Sequence, residues 1–465
     1  MFRKRDTHIH FVGIGGIGMS GIAEVLVNLG YKVTGTDIAD SDTTRRLTEL
    51  GATVFRGHSP EHLGDADVVV TSSAVGRDNS EVVAARQRKI PVIPRAEMLA
   101  ELMRLKEGIA VAGSHGKTTT TSLIASILAA ADLDPTVVIG GKVNQFGSNA
   151  RLGHSDLLLA EADESDGSFL YLTPTFAVIT NIDNEHLDHY GTLERVLEAF
   201  VGFANRVPFY GGAVVCLDDP NVATLLPELH KSTTTYAINR TDADYVAAEV
   251  RHAGVHTTFR VLCKGHDRGT FTLHMPGIHN VANALAAIAI ADLFDIPSET
   301  IRKGLEEFSG VQRRFTLKGE AGGVMVVDDY GHHPTEIRAT IAGARTSFDD
   351  RRIVAVVQPH RYSRLRDNFE AFAACLDDAD AVVVADVYPA GEAPIPGVDG
   401  EALANAIRAR HPGRDVVYRG DFEALPGQLA ASCRAGDLVL TLGAGSITRI
   451  GPQLVERLEA RSPTK

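Results

Sequence analysis

Short apolar runs alternate with helical stretches along nearly the whole chain, and this narrows the accessible folds more than any other feature. HIHFVG, DVVVTSS, IAVAGS, DLLLAEAD, FAVITNID, GGVMVVDD, RIVAVVQ, AVVVADV and DLVLTLG each have strand length, and most end in Gly, Ser, Asp or Asn, where a loop opens. Apolar strands separated by helices are the pattern of parallel α/β sheets. Ligands in such sheets sit at the carboxyl ends of the strands. The polar residues just beyond each run are therefore the candidates for chemistry.

A chain of 465 residues exceeds one ordinary core and suggests roughly two to four domains. One break falls near Lys106–Gly108, between the helical AEMLAELMRL and IAVAGS; another falls near Gly310–Phe315, after LEEFSG. Between Thr233 and Thr272 the chain is rich in Thr, Val and polar alternation, which predicts antiparallel strands within the middle portion. The formal charge of -13 argues against broad binding to nucleic acid or anionic membranes. Cys216, Cys263, Cys375 and Cys433 are scattered and contain no CxxC pair, so four reduced thiols are expected. No apolar run has the length of a membrane span, and the N-terminus lacks a signal-peptide pattern. A cytoplasmic protein is expected.

The sequence GSHGKTTT, residues 113–120, follows IAVA and precedes a helix. Gly113, Ser114, His115, Gly116, Lys117, Thr118 and Thr119 form a phosphate loop: backbone N–H groups cradle phosphates, Lys117 neutralises the outer ones, and the Thr118 hydroxyl can ligate Mg2+. The usual first glycine is replaced by Val111, so Gly113 must make the tight turn. A metal-binding carboxylate should end a neighbouring strand, and EADESDGSF supplies Glu161, Asp163, Glu164 and Asp166. So many acids together call for cations, and Glu161 is the candidate Mg2+ ligand. The next strand ends in Asn181, Asp183, His186 and Asp188. His186 could hold a second cation, although a lone loop histidine is more often a hydrogen-bonding residue.

A second glycine loop, Gly13, Gly15 and Gly18, lies between HIHFV and a helix, with Asp37 ending the next strand. That spacing is the dinucleotide fingerprint and alone would predict an NAD enzyme. Ser72 and Ser73 close a later strand of the same sheet; such pairs can donate to a phosphate or cap a helix. In HNVANALAAIAIADLF, Asn280 and Asn283 share a helix face. Asn283 could reach a nucleotide, and Asn280 could equally be a cap. Arg313 and Arg314 sit at the second break, DDYGHHPTE opens a helix at Pro334, and QPHRYSR carries Arg361 and Arg364 three apart. Two such arginines could clamp a carboxylate or phosphate. GAGSIT, residues 443–448, is a third strand-end turn, read as structural.

GIGGIGMSG, GSHGKTTT, EADESDGSF, NIDNEHLDHYG, PGIHNVANALAA, RRF, DDYGHHPTE and QPHRYSR occur in this order over nearly the whole chain. Together they resemble the Mur ligase family. The resemblance implies three α/β domains: residues 1–107, Rossmann-like and binding the UDP part of a substrate; 108–312, a P-loop-like ATP-binding domain; and 313–465, Rossmann-like and receiving an amino acid. It implies ATP and Mg2+, with Asn283 and Arg314 at the nucleotide and Asp329 near the ribose or an interdomain hinge. Gly15, Gly16, Gly18, Met19, Asp37, Ser72 and Ser73 would hold the UDP moiety. Tyr330, His332, Arg361 and Arg364 would line the sugar and amino-acid side, with Lys117, Glu161, His186, His332 and Arg361 serving catalysis.

Within the family the motifs look most like the branch that joins UDP-N-acetylmuramate to L-alanine, which would make these the substrates; a monomer and a homodimer both remain open. GSHGKT stands where GTHGKT is common, and no counterpart of the modified lysine of sister ligases follows GSF. Acyl-phosphate chemistry would need no protein nucleophile. A dehydrogenase would leave the phosphate loop unexplained, and a nucleotide switch would leave the first glycine loop unexplained.

Overall fold

The structure is a computed structural model describing residues 6–461 apart from Ser73 and residues 140–149; Ser73 thus lies outside the described residues. The chain is α/β throughout, with three sheets.

The first sheet has the spatial order Thr53–Arg56, Lys32–Asp37, His8–Val12, Val68–Thr71, Val92–Pro94, and every pairing is parallel. The connections run outward from the central strand, then reverse. This leaves a crevice between the carboxyl ends of His8–Val12 and Val68–Thr71, where such sheets bind ligands. Gly13 leaves one strand and Ser72 the other, and a Cβ on Gly13 would lie 3.7 Å from Val75 Cγ2.

Glu107–Ala112 lies near the middle of a ten-stranded sheet, between Phe176–Ile179 and Leu157–Glu161 and parallel to both. The phosphate loop, the acidic loop and the Asn181–His186 loop therefore share one sheet edge. The helix Lys117–Ala130 carries no charge after its first residue and is buried from Thr119 to Leu128, as suits a helix with no charged face to turn toward water. Phe169, Phe200 and Phe203 are fully buried and pack ring to ring, with Phe169 and Phe203 stacked at 5.0 Å. Each contributes roughly 1.5–3 kcal/mol by burial.

The expectation for Thr233–Thr272 is corrected in part. Thr233–Ala237 pairs parallel with Gly212–Cys216 and with the start of Tyr245–Ala253. Only Tyr245–Ala253, His256–Cys263 and His266–Leu273 follow one another through two-residue turns, which require antiparallel hairpins. Composition alone does not distinguish a Thr-rich parallel strand from an antiparallel one.

The third sheet runs Thr316–Ala321, Val324–Asp329, Asp437–Leu442, Arg352–Val357, Ala381–Ala385, Asp415–Arg419. It is parallel except for its first, antiparallel edge strand. By compactness the chain forms two units: Met1–Ala248 with Arg260–Phe271 and Ala282–Ser309, and Glu249–Phe259 with Thr272–Val281 and Gly310–Lys465. Among the described residues no helix is long and apolar enough to cross a membrane.

One buried network had no sequence signal. Glu81, fully buried, accepts from Thr36 Oγ1 at 2.7 Å and lies 3.1 Å from His58 Nδ1, 3.5 Å from His62 Nδ1 and 3.6 Å from His10 Nε2. Burial pushes its carboxyl pKa up, but the facing His10, the Thr36 hydrogen bond and His58 outweigh this and hold it below the usual range.

Candidate active site

In the first unit, Gly113 (φ +136) and Gly116 (φ +80) make the two turns of the phosphate loop. Neither tolerates a side chain: a Cβ would lie 2.0 Å from Thr180 Oγ1 at Gly113 and 2.5 Å from Asn283 Oδ1 at Gly116. The loop is fastened from the neighbouring strand. Thr180 Oγ1 and Asn181 Nδ2 donate to His115 O at 2.6 and 3.0 Å, and His115 N donates to Asn181 Oδ1 at 2.8 Å. Asp183 N donates to Ser114 Oγ at 2.8 Å, and His115 Nε2 lies 2.9 Å from Asp183 Oδ2. Thr120 Oγ1 donates to Asn283 Oδ1 at 3.1 Å.

Lys117, 15% exposed, donates to Gly113 O at 2.6 Å and to Glu164 Oε1 at 2.8 Å. Burial alone would lower its pKa; Glu164, Glu161 and Asp163 more than offset that and raise it, so the ammonium is charged. Glu164 is 3% exposed and also faces His186 Nε2 at 3.5 Å. Burial pulls the His186 pKa down, and Glu164 overcomes it to raise the value. Tyr190 adds a hydrogen bond to Glu164 O at 2.5 Å. The sequence flags the acidic crowd but singles out Glu161; that Glu164 is the buried partner of Lys117 emerges only in three dimensions. Thr118 Oγ1 lies 3.0 and 3.2 Å from the two Glu161 oxygens. Hydroxyl and carboxylate oxygens in such reach are the hard donor set that a Mg2+ ion takes.

At the first glycine loop, Gly13 N and Ile14 N donate to Thr36 O at 2.8 and 2.9 Å, and Gly15 N donates to Asp37 Oδ2 at 2.9 Å. The other Asp37 oxygen accepts from Ala39 N at 3.0 Å. Asp37 thus braces the loop. A Cβ on Gly15 would meet that carboxylate at 2.9 Å, while Gly16 adjoins Met19 and Gly18 abuts Arg95. Met19 is buried.

In the second unit, the named residues gather at the carboxyl ends of neighbouring strands. Asp329 is buried and both oxygens are occupied, accepting from Phe315 N at 2.8 Å and Gly331 N at 2.7 Å. Burial raises its pKa. It holds a turn in which Arg313 (φ 61) and Phe315 (φ 44) are left-handed, a conformation that costs a non-glycine residue and needs such support. Arg313 donates to Gly443 O at 2.5 Å and Ala444 O at 3.1 Å, which gives the GAGSIT turn its structural role. Arg314 reaches Glu336 Oε1 at 3.2 Å and lies over the Tyr330 ring at 5.5 Å.

Glu336 also accepts from His332 N at 3.0 Å. Burial drives the His332 pKa down to about 3, so its imidazole is neutral. Its ring lies 5.7 Å from His360, which stacks on Tyr388 at 5.5 Å. Arg361 is exposed, with φ 69, at the start of helix Tyr362–Asp367. Arg364 Nη1 lies 3.3 Å from His360 Nδ1. Asn280 lies inside the helix Ile278–Leu293 and its Nδ2 donates back to Pro276 O at 2.7 Å, so it is not the cap weighed for it above, whose side chain would accept from a backbone N–H.

Family models cover the chain in three successive blocks: the Mur ligase family catalytic domain over residues 8–107, the Mur ligase middle domain over 111–291, and the Mur ligase glutamate ligase domain over 313–445. A UDP-N-acetylmuramate–L-alanine ligase of Myxococcus xanthus is 58% identical over 459 residues, spanning 98% of this chain and 97% of that protein. The crystal structure of a UDP-N-acetylmuramate-alanine ligase from Thermotoga maritima superposes with a TM-score of 0.81 at 31% identity, over 97% of this chain and 99% of that one. A MurF ligase from the same organism, solved in complex with ADP, shares the fold at 19% identity and a TM-score of 0.65, over 93% and 96% of the two chains. Similarity of this extent, continuous through both glycine loops and all three sheets, means that the chain belongs to the Mur ligase family.

Proposed function

We propose that this enzyme is an ATP-dependent ligase that forms an amide bond between the carboxylate of UDP-N-acetylmuramate and L-alanine, a step of peptidoglycan synthesis in the cytoplasm. The observation that carries the chemistry is the phosphate loop, with a charged Lys117 at its base and the Thr118–Glu161 pair at its mouth. The choice of substrates is supported by the similarity to ligases of that name over nearly the whole chain.

The substrate carboxylate attacks the γ-phosphorus of ATP, the bond to the β-bridging oxygen breaks, and ADP leaves. The backbone N–H groups of residues 113–118 and the Lys117 ammonium would hold the phosphates and stabilise charge on the transferring group. Thr118 and Glu161 would hold Mg2+, and His186 a second cation. Bound there, such ions neutralise phosphate charge and orient the oxygens. The amine of L-alanine then attacks the acyl carbon; the amide forms, phosphate leaves, and the nitrogen loses a proton. Neutral His332 can accept a hydrogen bond, the amine's proton passing to the departing phosphate or to solvent, and Arg361 and Arg364 would hold the amino-acid carboxylate. Asn283 and Arg314 would contact the nucleotide, with Asp329 holding the turn that presents Arg314. Residues 1–107, 108–312 and 313–465 would divide these tasks.

The test is phosphate release from ATP with UDP-N-acetylmuramate present, with and without L-alanine and against other amino acids. Release requiring both substrates, with L-alanine preferred, supports the reading. Release requiring neither rejects it.

A further inference from the structure

The first glycine loop, GIGGIGMSG, contains no cationic residue. A diphosphate carries about two negative charges, whereas a helix N-terminus offers only about half a positive charge. Arg95 places a full charge at this loop. It opens the helix Arg95–Met103 directly after the strand Val92–Pro94. A cation at the first turn of a helix opposes the helix dipole, so helix stability does not account for it. Its guanidinium lies over Gly18, where a Cβ would come 2.7 Å from Nη1, 3.0 Å from Cδ and 3.1 Å from Cζ. Its side chain is 24% exposed, and Nη2 lies 3.4 Å from Asp163 Oδ2. Asp163 in turn belongs to the acidic loop that faces Lys117, and its pKa is held down against burial by Ser165, Lys117 and Arg95.

We propose that Arg95 is a substrate-binding residue of this ligase: it binds the diphosphate of the nucleotide-linked substrate at Gly18, and its bond to Asp163 ties occupancy of that site to the acidic loop at the phosphate loop. The proposal rests on the reading above that the first glycine loop holds a UDP-linked substrate. A guanidinium suits the task because its fork can serve two anions at once. A side chain at 18 would displace the guanidinium from this position.

The experiment uses the full chain and the variants Arg95→Gln, Arg95→Lys and Asp163→Asn. Binding of UDP-N-acetylmuramate, uridine and a non-hydrolysable ATP analogue is measured separately by calorimetry, followed by KM and kcat. Arg95→Gln is expected to weaken UDP-N-acetylmuramate binding on the order of tenfold to a hundredfold, as for loss of a charged hydrogen bond. Uridine and the ATP analogue should bind as in the unmodified chain, and Arg95→Lys should recover part of the loss. Asp163→Asn should shift the KM for UDP-N-acetylmuramate in the parent and not in Arg95→Gln. Unchanged UDP-N-acetylmuramate binding in Arg95→Gln overturns the proposal, as does equal weakening of all three ligands, which marks a structural strut. Failure of the unmodified chain to bind UDP-N-acetylmuramate rejects the functional reading itself, a result distinct from either.

Discussion

Two glycines with nearly the same backbone angle allow the cost of the phosphate loop to be separated into its parts. Gly116 has φ +80 and Gly265 has φ +79, both in the first unit. A Cβ on Gly265 meets nothing within 4 Å, whereas one on Gly116 lies 2.5 Å from Asn283 Oδ1. Gly265→Ala therefore carries only the left-handed penalty of an L-residue, about 1–2 kcal/mol, partly offset by about 0.4–1 kcal/mol from a less flexible unfolded chain. Gly116→Ala carries the same terms and must also push Asn283 aside. That breaks the bond from Thr120 Oγ1 and leaves this buried hydroxyl without it, at about 1–3 kcal/mol. The expected losses are about 1 kcal/mol for Gly265→Ala and about 2–4 kcal/mol for Gly116→Ala. Urea denaturation followed by fluorescence and far-UV circular dichroism measures both, using the transition of the first unit since a multidomain chain need not unfold in one step. Only Gly116→Ala should also lose ATP-analogue binding. Equal destabilisation by the two substitutions would refute the claim that Asn283 is what the loop glycine accommodates.

Lys117→Ala should abolish phosphate release, and it should also destabilise the fold, by up to about 3–5 kcal/mol, because the buried Glu164 loses its ammonium partner. Adding Glu164→Gln should restore much of that stability without restoring turnover; a Lys117→Ala protein as stable as the parent contradicts the buried pair. Chelation of divalent cations should stop turnover, and Glu161→Gln should raise the Mg2+ concentration needed for half-maximal rate. A magnesium-independent rate would refute that assignment. His279 is half-buried, its Nδ1 lacks a hydrogen-bond partner, and desolvation lowers its pKa to about 4. The unfolded chain therefore binds the proton first, and stability is lost as pH falls from the unfolded value of 6.5 toward 4. At about pH 5 the loss is roughly 2 kcal/mol; His279→Asn should flatten the profile between about pH 7 and 5 in thermal unfolding of the second unit.

The sequence by itself determined the parallel α/β class, because strand-length apolar runs separated by helical stretches have few other ways to bury their surface. It also determined the two glycine loops, because a turn that must approach phosphate closely excludes side chains, and that exclusion is written in the residues themselves. Pairings between distant positions left no such local trace. Its strand-end position singled out Glu161 in EADESDGSF, but nothing there said which carboxylate pairs with Lys117; the fold buries Glu164 against it and leaves Glu161 at the Thr118 hydroxyl. Asp37 matched the dinucleotide fingerprint by its strand-end position, and the family resemblance set Asp329 near the ribose or a hinge; that backbone N–H groups also reach both oxygens of each, bracing the turns, emerged only from the fold. Arg95 stood unremarked in a helical stretch until the fold laid it over Gly18. Local pattern constrains backbone geometry, since it acts through near neighbours. The charge state and partner of a side chain depend on burial and on residues tens of positions away, and only the tertiary structure brings those together.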